Sequence, residues 1–155
     1  MSEKKDHADV KIHPPVLLLI HIGVTWLLGR FILLPIVVSP LARNIGLGLA
    51  GIGFLLGMLS FYAFMKARTT VDPHGSVKSI VTSGVYRFTR NPIYLGFTLM
   101  LIGLPLNSGT YWGVVLAPIF IYFMNRLVIK WEEAYLEKKF GDVYTSFKSR
   151  VRRWL

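Results

Sequence analysis

Long apolar runs separated by short polar segments dominate the hydropathy pattern of this chain. The runs cover residues 15–38, 45–65, 90–106 and 110–129, and the third has the shortest apolar part. A helix of roughly 20 apolar residues crosses a hydrocarbon layer ~30 Å thick. The pattern therefore predicts an all-α, polytopic membrane protein with about four transmembrane helices. The third run is short for a span, so we expect neighbouring helices to shield it from the lipid. The short turn after it predicts an antiparallel hairpin with the fourth.

Composition supports the same class of protein. Of 155 residues, 53% are hydrophobic and 17% are charged, which is too apolar for a soluble domain of this length, so we expect one membrane domain over residues 1–155. The first run lacks a small-x-small cleavage site and is interpreted as a retained span. The chain has no cysteine, and its four scattered histidines form no His-x-x-x-His pair, so no metal site is expected.

The positive charges indicate the orientation in the membrane. Lysines and arginines collect before the first run, between the second and third, and after the fourth, whereas the remaining connections carry Arg43 alone. By the positive-inside rule, both termini and residues 66–91 face the cytoplasm, together with residues 130–155. The net charge of +10 is thus spread over the gaps between spans, so nucleic acid is not an expected partner.

Small residues recur along one face of the second run at helical spacing. The members of this small-residue face are Gly46, Ala50, Gly53 and Gly57. Such a face lets another helix approach closely. We expect it to pack against a helix of the same chain, and a homodimer contact is the alternative.

The chain continues after the fourth run as a C-terminal amphipathic helical segment. Helical spacing persists to Gly141, where a helix should end. A second periodic set follows, made of Val143, Phe147, Val151 and Trp154. This set predicts a helix that lies on the membrane surface, or one that folds back as the wall of a cytoplasmic pocket.

Polar residues of two kinds flank the start of the third run. Asn91 is a good N-cap and Pro92 a good first helical residue, so the helix should start there with its positive dipole end beside Arg87 and Arg90. Such an end suits a carboxylate or phosphate, although simple anchoring by interfacial charges is the alternative.

Two acids, Glu132 and Glu133, follow the fourth run and could hold an ammonium group. Together with Arg90 they describe a site for a zwitterionic amino acid moiety. Solvated charges on an exposed helix are the alternative interpretation.

These motifs, in this order, resemble a known enzyme family. The segments that carry the resemblance are Ile80-Val81-Thr82-Ser83-Gly84-Val85-Tyr86-Arg87, Arg90-Asn91-Pro92-Ile93-Tyr94-Leu95-Gly96, Glu132-Glu133-Ala134-Tyr135-Leu136 and Phe140-Gly141-Asp142-Val143-Tyr144. Over about residues 71–155 the chain is similar to the isoprenylcysteine carboxyl methyltransferases, which belong with the phospholipid methyltransferases. These are integral membrane enzymes that use S-adenosylmethionine and release S-adenosylhomocysteine.

The resemblance implies a cytoplasmic cofactor site, a lipid bilayer environment and a lipophilic or lipid acceptor. The implied cofactor-binding residues are Lys78, Ser79, Ile80, Val81, Tyr86, Arg90, Asn91, Pro92, Ile93, Tyr94 and Glu132. Glu132 would hold the amino group, and Arg90 with the helix start would hold the carboxylate. Arg90, Glu133 and Tyr94 are the catalytic candidates, with His74 as a further candidate base.

Two positions depart from the family pattern. Asn91 stands where many members have histidine. Val128 stands where the prenylcysteine enzymes place an arginine that meets the substrate carboxylate, with Arg126 and Lys130 on either side as the remaining substrate-binding candidates. The reaction expected is in-line transfer of a methyl group to a prenylcysteine-like carboxylate, a phospholipid amine or a small thiol.

Two ionisable residues, His21 and Arg30, lie inside the first run, where charge is costly and often functional. We expect Arg30 to reach the outer interface past a kink at Pro35, and a role near an acceptor pocket is the alternative. The rival function is a non-enzymatic membrane protein, such as a transporter subunit or scaffold. Against it, the polar residues concentrate at one interface and no repeat relates the two halves.

Overall fold

The structure, a computed structural model, describes residues 6–32, 34, 36–72 and 75–155. In this part of the chain the helices are α1 (Pro14–Phe31), α2 (Pro40–Lys66), α3 (Pro92–Asn107), α4 (Trp112–Met124), α5 (Lys130–Phe140) and α6 (Asp142–Arg150). A 3₁₀ turn covers Gly84–Arg87, and a π-helical segment, Asn125–Ile129, joins α4 to α5. The predicted all-α, polytopic architecture is confirmed.

Three helical stretches are long and apolar enough to cross a membrane. They are Pro14–Phe31, Pro40–Lys66 and Trp112–Phe140, the last formed by α4, the π-helical segment and α5 together. α3 has 16 residues, or about 24 Å at ~1.5 Å per residue. It lies along α2, which gives it the shelter that its length requires.

Two predicted boundaries of the first two spans were wrong. α1 ends at Phe31 instead of residue 38, and α2 begins at Pro40 instead of residue 45. The early start of α2 has a local cause, because Ser39 Oγ accepts a hydrogen bond from the Ala42 N–H at 3.2 Å and Pro40 occupies the first helical turn. The predicted kink at Pro35 lies outside the described residues.

The small-residue face of α2 packs against α3. A Cβ placed on Gly53 would lie 2.5 Å from the carbonyl oxygen of Gly96, and one on Gly103 would lie 2.4 Å from that of Gly46. The two backbones are therefore in direct contact, which only glycine permits. The face is covered within one chain, as expected, so Gly46, Ala50 and Gly53 are not exposed for the alternative homodimer contact.

α1 packs against α4 on the other side of α3. His21 is buried there. Its Nδ1 donates a hydrogen bond to the Leu17 carbonyl at 2.9 Å, and its ring meets the edge of Phe120 at a centroid distance of 5.1 Å. Arg30 lies exposed in the last turn of α1. The hydrogen bond of Nδ1 and the contact with Phe120 thus explain how α1 accommodates His21, for which the sequence left a functional role open.

The π-helical segment lets the N-terminal residues attach to the bundle. Its wider turn leaves the Leu127 carbonyl available, and the Lys11 N–H donates to it at 2.9 Å. The Lys11 ammonium also lies 4.1 Å from the ring centre of Trp131. Residues 6–13 are therefore folded along the side of α5.

Gly141 ends α5, as the sequence predicts. Its φ of 50° is a left-handed conformation that favours glycine, and it turns α6 back over the end of the bundle. The face that α6 buries differs from the predicted set, because Val143 is 65% exposed whereas Tyr144 and Phe147 are only 3% and 5% exposed. α6 therefore acts as the wall of a pocket, the second of the two predicted roles.

Candidate functional site

A cavity lies at the end of the bundle where α2 ends and α3 begins. Its walls come from the last turn of α2, residues 70–72 and 77–81, the 3₁₀ turn, the first turn of α3, α5 and α6, and Ala8 closes part of one side. Its volume is about 120 Å³, and the unfilled space including the open mouth is about 850 Å³. Small-molecule sites usually offer roughly 300–1,000 Å³, so a ligand of cofactor size would extend from the cavity into its mouth.

Most of the residues singled out from the sequence line this cavity. They are Ser79, Ile80, Val81, Tyr86, Arg90, Asn91, Ile93, Tyr94, Glu132 and Glu133. They come from segments up to 54 positions apart, which the packing of α3 against α5 brings together.

Four of the predicted residues do not line the cavity. Lys78 has an exposed side chain, and only its N–H is engaged, with Thr69 Oγ1 at 2.9 Å. Pro92 is buried in the first turn of α3. Arg126 and Lys130 are exposed on the outer surface of the long helix. Each lies two positions from the buried Val128, so the helix directs both away from the side that Val128 faces.

Glu132 and Tyr94 form one polar contact of the cavity. The Tyr94 phenol donates a hydrogen bond to Glu132 Oε1 at 2.5 Å, which fixes the carboxylate from the first turn of α3. The second carboxylate oxygen of Glu132 is not engaged by that bond. The pair therefore presents a carboxyl oxygen to the cavity.

Glu133 lies between two arginines. Arg153 grips it through two parallel hydrogen bonds, from Nε to Oε1 at 3.0 Å and from Nη2 to Oε2 at 2.7 Å. Arg90 Nη1 lies 3.2 Å from the same Oε1. This bidentate fork is the strongest geometry for a guanidinium and a carboxylate, and hydrogen bonding to Glu133 raises the pKa of Arg153.

Arg90 keeps unused hydrogen-bonding capacity. Its side chain is only 10% exposed, and its Nε and Nη1 atoms are buried without a hydrogen-bond partner in the structure. Buried donors of this kind are costly unless a ligand satisfies them. With two guanidiniums and one carboxylate, the Arg90–Glu133–Arg153 cluster carries a net charge of +1. The Glu132 carboxyl group lies beside it.

The predicted capping role of Asn91 is wrong in detail. Asn91 occupies the N-cap position of α3, but its side chain makes no capping hydrogen bond. Its Nδ2 donates instead to the Arg153 carbonyl at 2.9 Å. The Oγ1 of Thr89, two residues before Asn91, accepts a hydrogen bond from the Asn91 N–H at 3.2 Å. The start of α3 is therefore tied to the C-terminal residues.

Two tyrosines form neutral aromatic walls. Burial raises the pKa of Tyr86, whose ring meets the edge of Phe64 at 5.6 Å. Burial, helped by the nearby charge of Glu133, raises the pKa of Tyr144 to about 12. Both phenols are therefore uncharged at neutral pH.

A polar cluster beside the cavity, which it shares through Tyr135, fixes residues 6–12. Lys139 Nζ donates to Asp6 Oδ1 at 2.6 Å, to Tyr135 Oη at 3.0 Å and to Ser76 Oγ at 3.0 Å, and Ser76 also bonds Asp6. The Lys139 hydrogen bond lowers the pKa of Asp6 to about 2. We call these four residues the latch. Tyr135 and Tyr144 stand in the segments that carry the family resemblance but were given no role. Asp6, Ser76, Lys139 and Arg153 were not identified, because their positions carry no local signal that separates them from other surface residues.

Apolar spanning helices, with a cavity lined by arginine and glutamate side chains at one end, define an integral membrane protein with a candidate small-molecule site. The model of the phospholipid methyltransferase family matches residues 41–143 of the chain. The chain therefore belongs to the phospholipid methyltransferase family, and the predicted enzyme class, a methyltransferase, is confirmed at the level of the family.

Individual relatives agree with this assignment. The chain is 46% identical over 66 residues to an uncharacterized protein of Haemophilus influenzae, covering 41% of this chain and 100% of that one. It is 32% identical over 72 residues to the protein-S-isoprenylcysteine O-methyltransferase of Schizosaccharomyces pombe, covering 46% and 30%. It is 29% identical over 94 residues to the phosphatidyl-N-methylethanolamine N-methyltransferase of Saccharomyces cerevisiae, covering 59% and 45%. The chain thus spans less than half the length of these two named enzymes. No solved structure matches the chain.

Proposed function

We propose that the protein transfers a methyl group from S-adenosylmethionine to a lipophilic or membrane-associated acceptor. The observation that supports this most directly is the pairing of opposite charges in one cavity. The Arg90–Glu133–Arg153 cluster supplies a net positive charge, and Glu132 supplies a negative charge next to it. The amino acid end of S-adenosylmethionine carries a carboxylate and an ammonium group on one carbon, so it needs both charges close together.

The residues present fit the cofactor. The unsatisfied Nε of Arg90 would receive the carboxylate, and Glu132 would receive the ammonium group. The neutral rings of Tyr86 and Tyr144 offer faces that attract a sulfonium cation and pack against a nucleoside. When bound, S-adenosylmethionine supplies a methyl group that is already activated for displacement.

The chain itself then has to align the reactants and exclude water. The apolar wall formed by Phe64, Val81, Leu136 and Phe147 excludes water from the cavity. Glu133 is engaged by two guanidiniums, so we assign it to charge balance instead of proton transfer. Tyr94 orients Glu132. These assignments replace the catalytic role that the sequence suggested for Glu133.

The acceptor is proposed as a class. A prenylcysteine-like carboxylate, a phospholipid amine and a small thiol would all reach the cavity from the bilayer or its surface. Both termini and the cavity are proposed to lie on the cytoplasmic side, where the cofactor is available, in keeping with the distribution of lysine and arginine.

Binding calorimetry with S-adenosylhomocysteine on detergent-solubilised protein tests the charge pairing. Glu132→Gln should weaken binding by at least about tenfold, since a hydrogen bond to a charged group contributes roughly 1.5–3 kcal/mol. Glu137→Gln is the matched control, because Glu137 lies on the same helix in a half-exposed pair with Lys148 and outside the cavity. Wild-type protein that is folded and lipid-supplemented but does not bind would refute the proposal and favour a non-enzymatic membrane protein.

A methyl-transfer assay with radiolabelled S-adenosylmethionine tests the acceptor. The arms are phosphatidylethanolamine vesicles, a prenylated cysteine with a free carboxylate, and a small alkyl thiol. Labelled product in one arm, lost in Glu132→Gln and retained in Glu137→Gln, would identify the acceptor class. Binding of S-adenosylhomocysteine without transfer in every arm would leave cofactor binding intact and reject these three classes.

A further inference from the structure

The C-terminal residues close the candidate site from outside the helices. After α6 ends at Arg150, the backbone becomes extended at Val151, with φ −121° and ψ 130°. It then runs past the start of α3, where the Arg152 carbonyl accepts a hydrogen bond from the Arg90 N–H at 2.9 Å. The Trp154 indole N–H anchors the end of the chain to Asn125 Oδ1 at 3.2 Å.

The Arg153 carbonyl completes this attachment. It accepts hydrogen bonds from Thr89 Oγ1 at 3.1 Å and from Asn91 Nδ2 at 2.9 Å. The contacts come from residues on both sides of Arg90. From this held backbone the Arg153 side chain reaches Glu133, with which it makes the two-bond fork.

We propose that Arg153 is a positioning residue for the anion-binding end of the cavity. By occupying both oxygens of Glu133, it leaves the Nε donor of Arg90 for a ligand carboxylate and gives the cluster its net positive charge. This inference rests on the proposed function, since the ligand carboxylate is that of the cofactor.

The charge balance explains why a second arginine is needed. Glu133 is 7% exposed, and a buried carboxylate requires compensation. Without Arg153, Arg90 would be the remaining guanidinium of the cluster, and its donors would turn to the uncovered Oε2 of Glu133. The cluster would then be neutral, and an incoming carboxylate would meet a pair that is already satisfied.

The test compares two arginines on neighbouring positions. Arg153→Ala removes the fork, whereas Arg152→Ala removes the same charge from an exposed side chain and keeps the backbone carbonyl that Arg90 uses. Calorimetry is run with S-adenosylhomocysteine and with 5′-methylthioadenosine, which lacks the amino acid group. Arg153→Ala should weaken binding of S-adenosylhomocysteine by about tenfold or more. Its effect on 5′-methylthioadenosine, and that of Arg152→Ala on either ligand, should stay below about twofold.

A second variant separates charge balance from structural support. In Glu133→Gln/Arg153→Ala the carboxylate that Arg153 neutralises is gone, so binding of S-adenosylhomocysteine should recover relative to Arg153→Ala. If Arg153→Ala does not fold, Arg153→Lys keeps the charge but loses the fork, and it should show the same ligand-selective loss to a smaller degree.

The possible outcomes are distinct. Equal losses for both ligands, or no recovery in the double variant, would overturn the positioning role while leaving the proposed function intact. Wild-type protein that binds neither ligand would overturn the proposed function, and this inference with it.

Discussion

The direct contact between α2 and α3 can be tested by adding a single methyl group. A Cβ on Gly103 would lie 2.4 Å from the Gly46 carbonyl oxygen, 2.6 Å from the Ala50 nitrogen and 3.2 Å from the Ala50 Cα. All three are backbone atoms, so no side chain can move aside. The shortest contact lies about 0.6 Å inside the 3.0 Å below which real Cβ atoms are essentially never found. Gly103→Ala must therefore push the two helices apart.

Overpacking of this kind costs about 1–3 kcal/mol. In a protein of this size each kcal/mol lowers the melting temperature by roughly 2–4 °C, so Gly103→Ala should melt about 2 to 12 °C below the wild type. The measurement is thermal unfolding of the detergent-solubilised protein followed by circular dichroism.

Gly48→Ala is the control for this prediction. Gly48 lies on α2, and a Cβ there would have nothing within 4 Å. Since alanine favours a helix over glycine by up to about 1 kcal/mol, this variant should be as stable as the wild type or slightly more so. Equal melting temperatures for Gly103→Ala and Gly48→Ala would refute the close packing of the two backbones.

Further predictions concern the latch and the aromatic wall of the cavity. Lys139→Ala should increase hydrogen–deuterium exchange over residues 6–12, because Lys139 bonds the three other members of the latch. Lys138→Ala, at the exposed neighbouring position, should leave this exchange unchanged. Equal exchange in the two variants would contradict the latch. The latch should persist from neutral pH down to about 4 and be lost as pH falls through the lowered Asp6 pKa of about 2. At alkaline pH, Tyr144 contributes stability that is fully present below about 10 and lost as pH rises through its raised pKa of about 12. Ultraviolet titration of tyrosinate should lose one late-titrating group in Tyr144→Phe, and an unchanged curve would exclude this role.

Local patterns predicted much of the fold. Asn91-Pro92 marks the start of α3, and Gly141 marks the end of α5, because proline and glycine act through their own backbone preferences. The start of α2 was missed because its apolar run was read from Ile45, although Ser39 and Pro40 carry the signal for an earlier start. Membrane class and helix hairpins follow from hydropathy and turn length alone.

The candidate site was predictable as a set of residues but not as a set of contacts. Glu132, Glu133 and Arg90 were identified as oppositely charged groups, and all three line the cavity. The ion pair between Arg90 and Glu133 was not foreseen, since Arg90 was expected to meet a ligand carboxylate and Asn91 to cap its helix. Arg153 has the same local surroundings as other basic residues of the tail, so no pattern separates it from Arg152.

By itself, the sequence determined that this is a helical membrane protein with its polar residues collected at one end, because hydropathy, charge and the signals of proline and glycine act over a few neighbouring residues. The tertiary structure decided which charges meet. Arg153 reaches Glu133 across 20 positions, Thr89 reaches the Arg153 carbonyl across 64, and Lys139 reaches Asp6 across 133. Such contacts depend on how α3, α5 and α6 pack, and a side chain's partner is set by that packing and not by its neighbours in the chain.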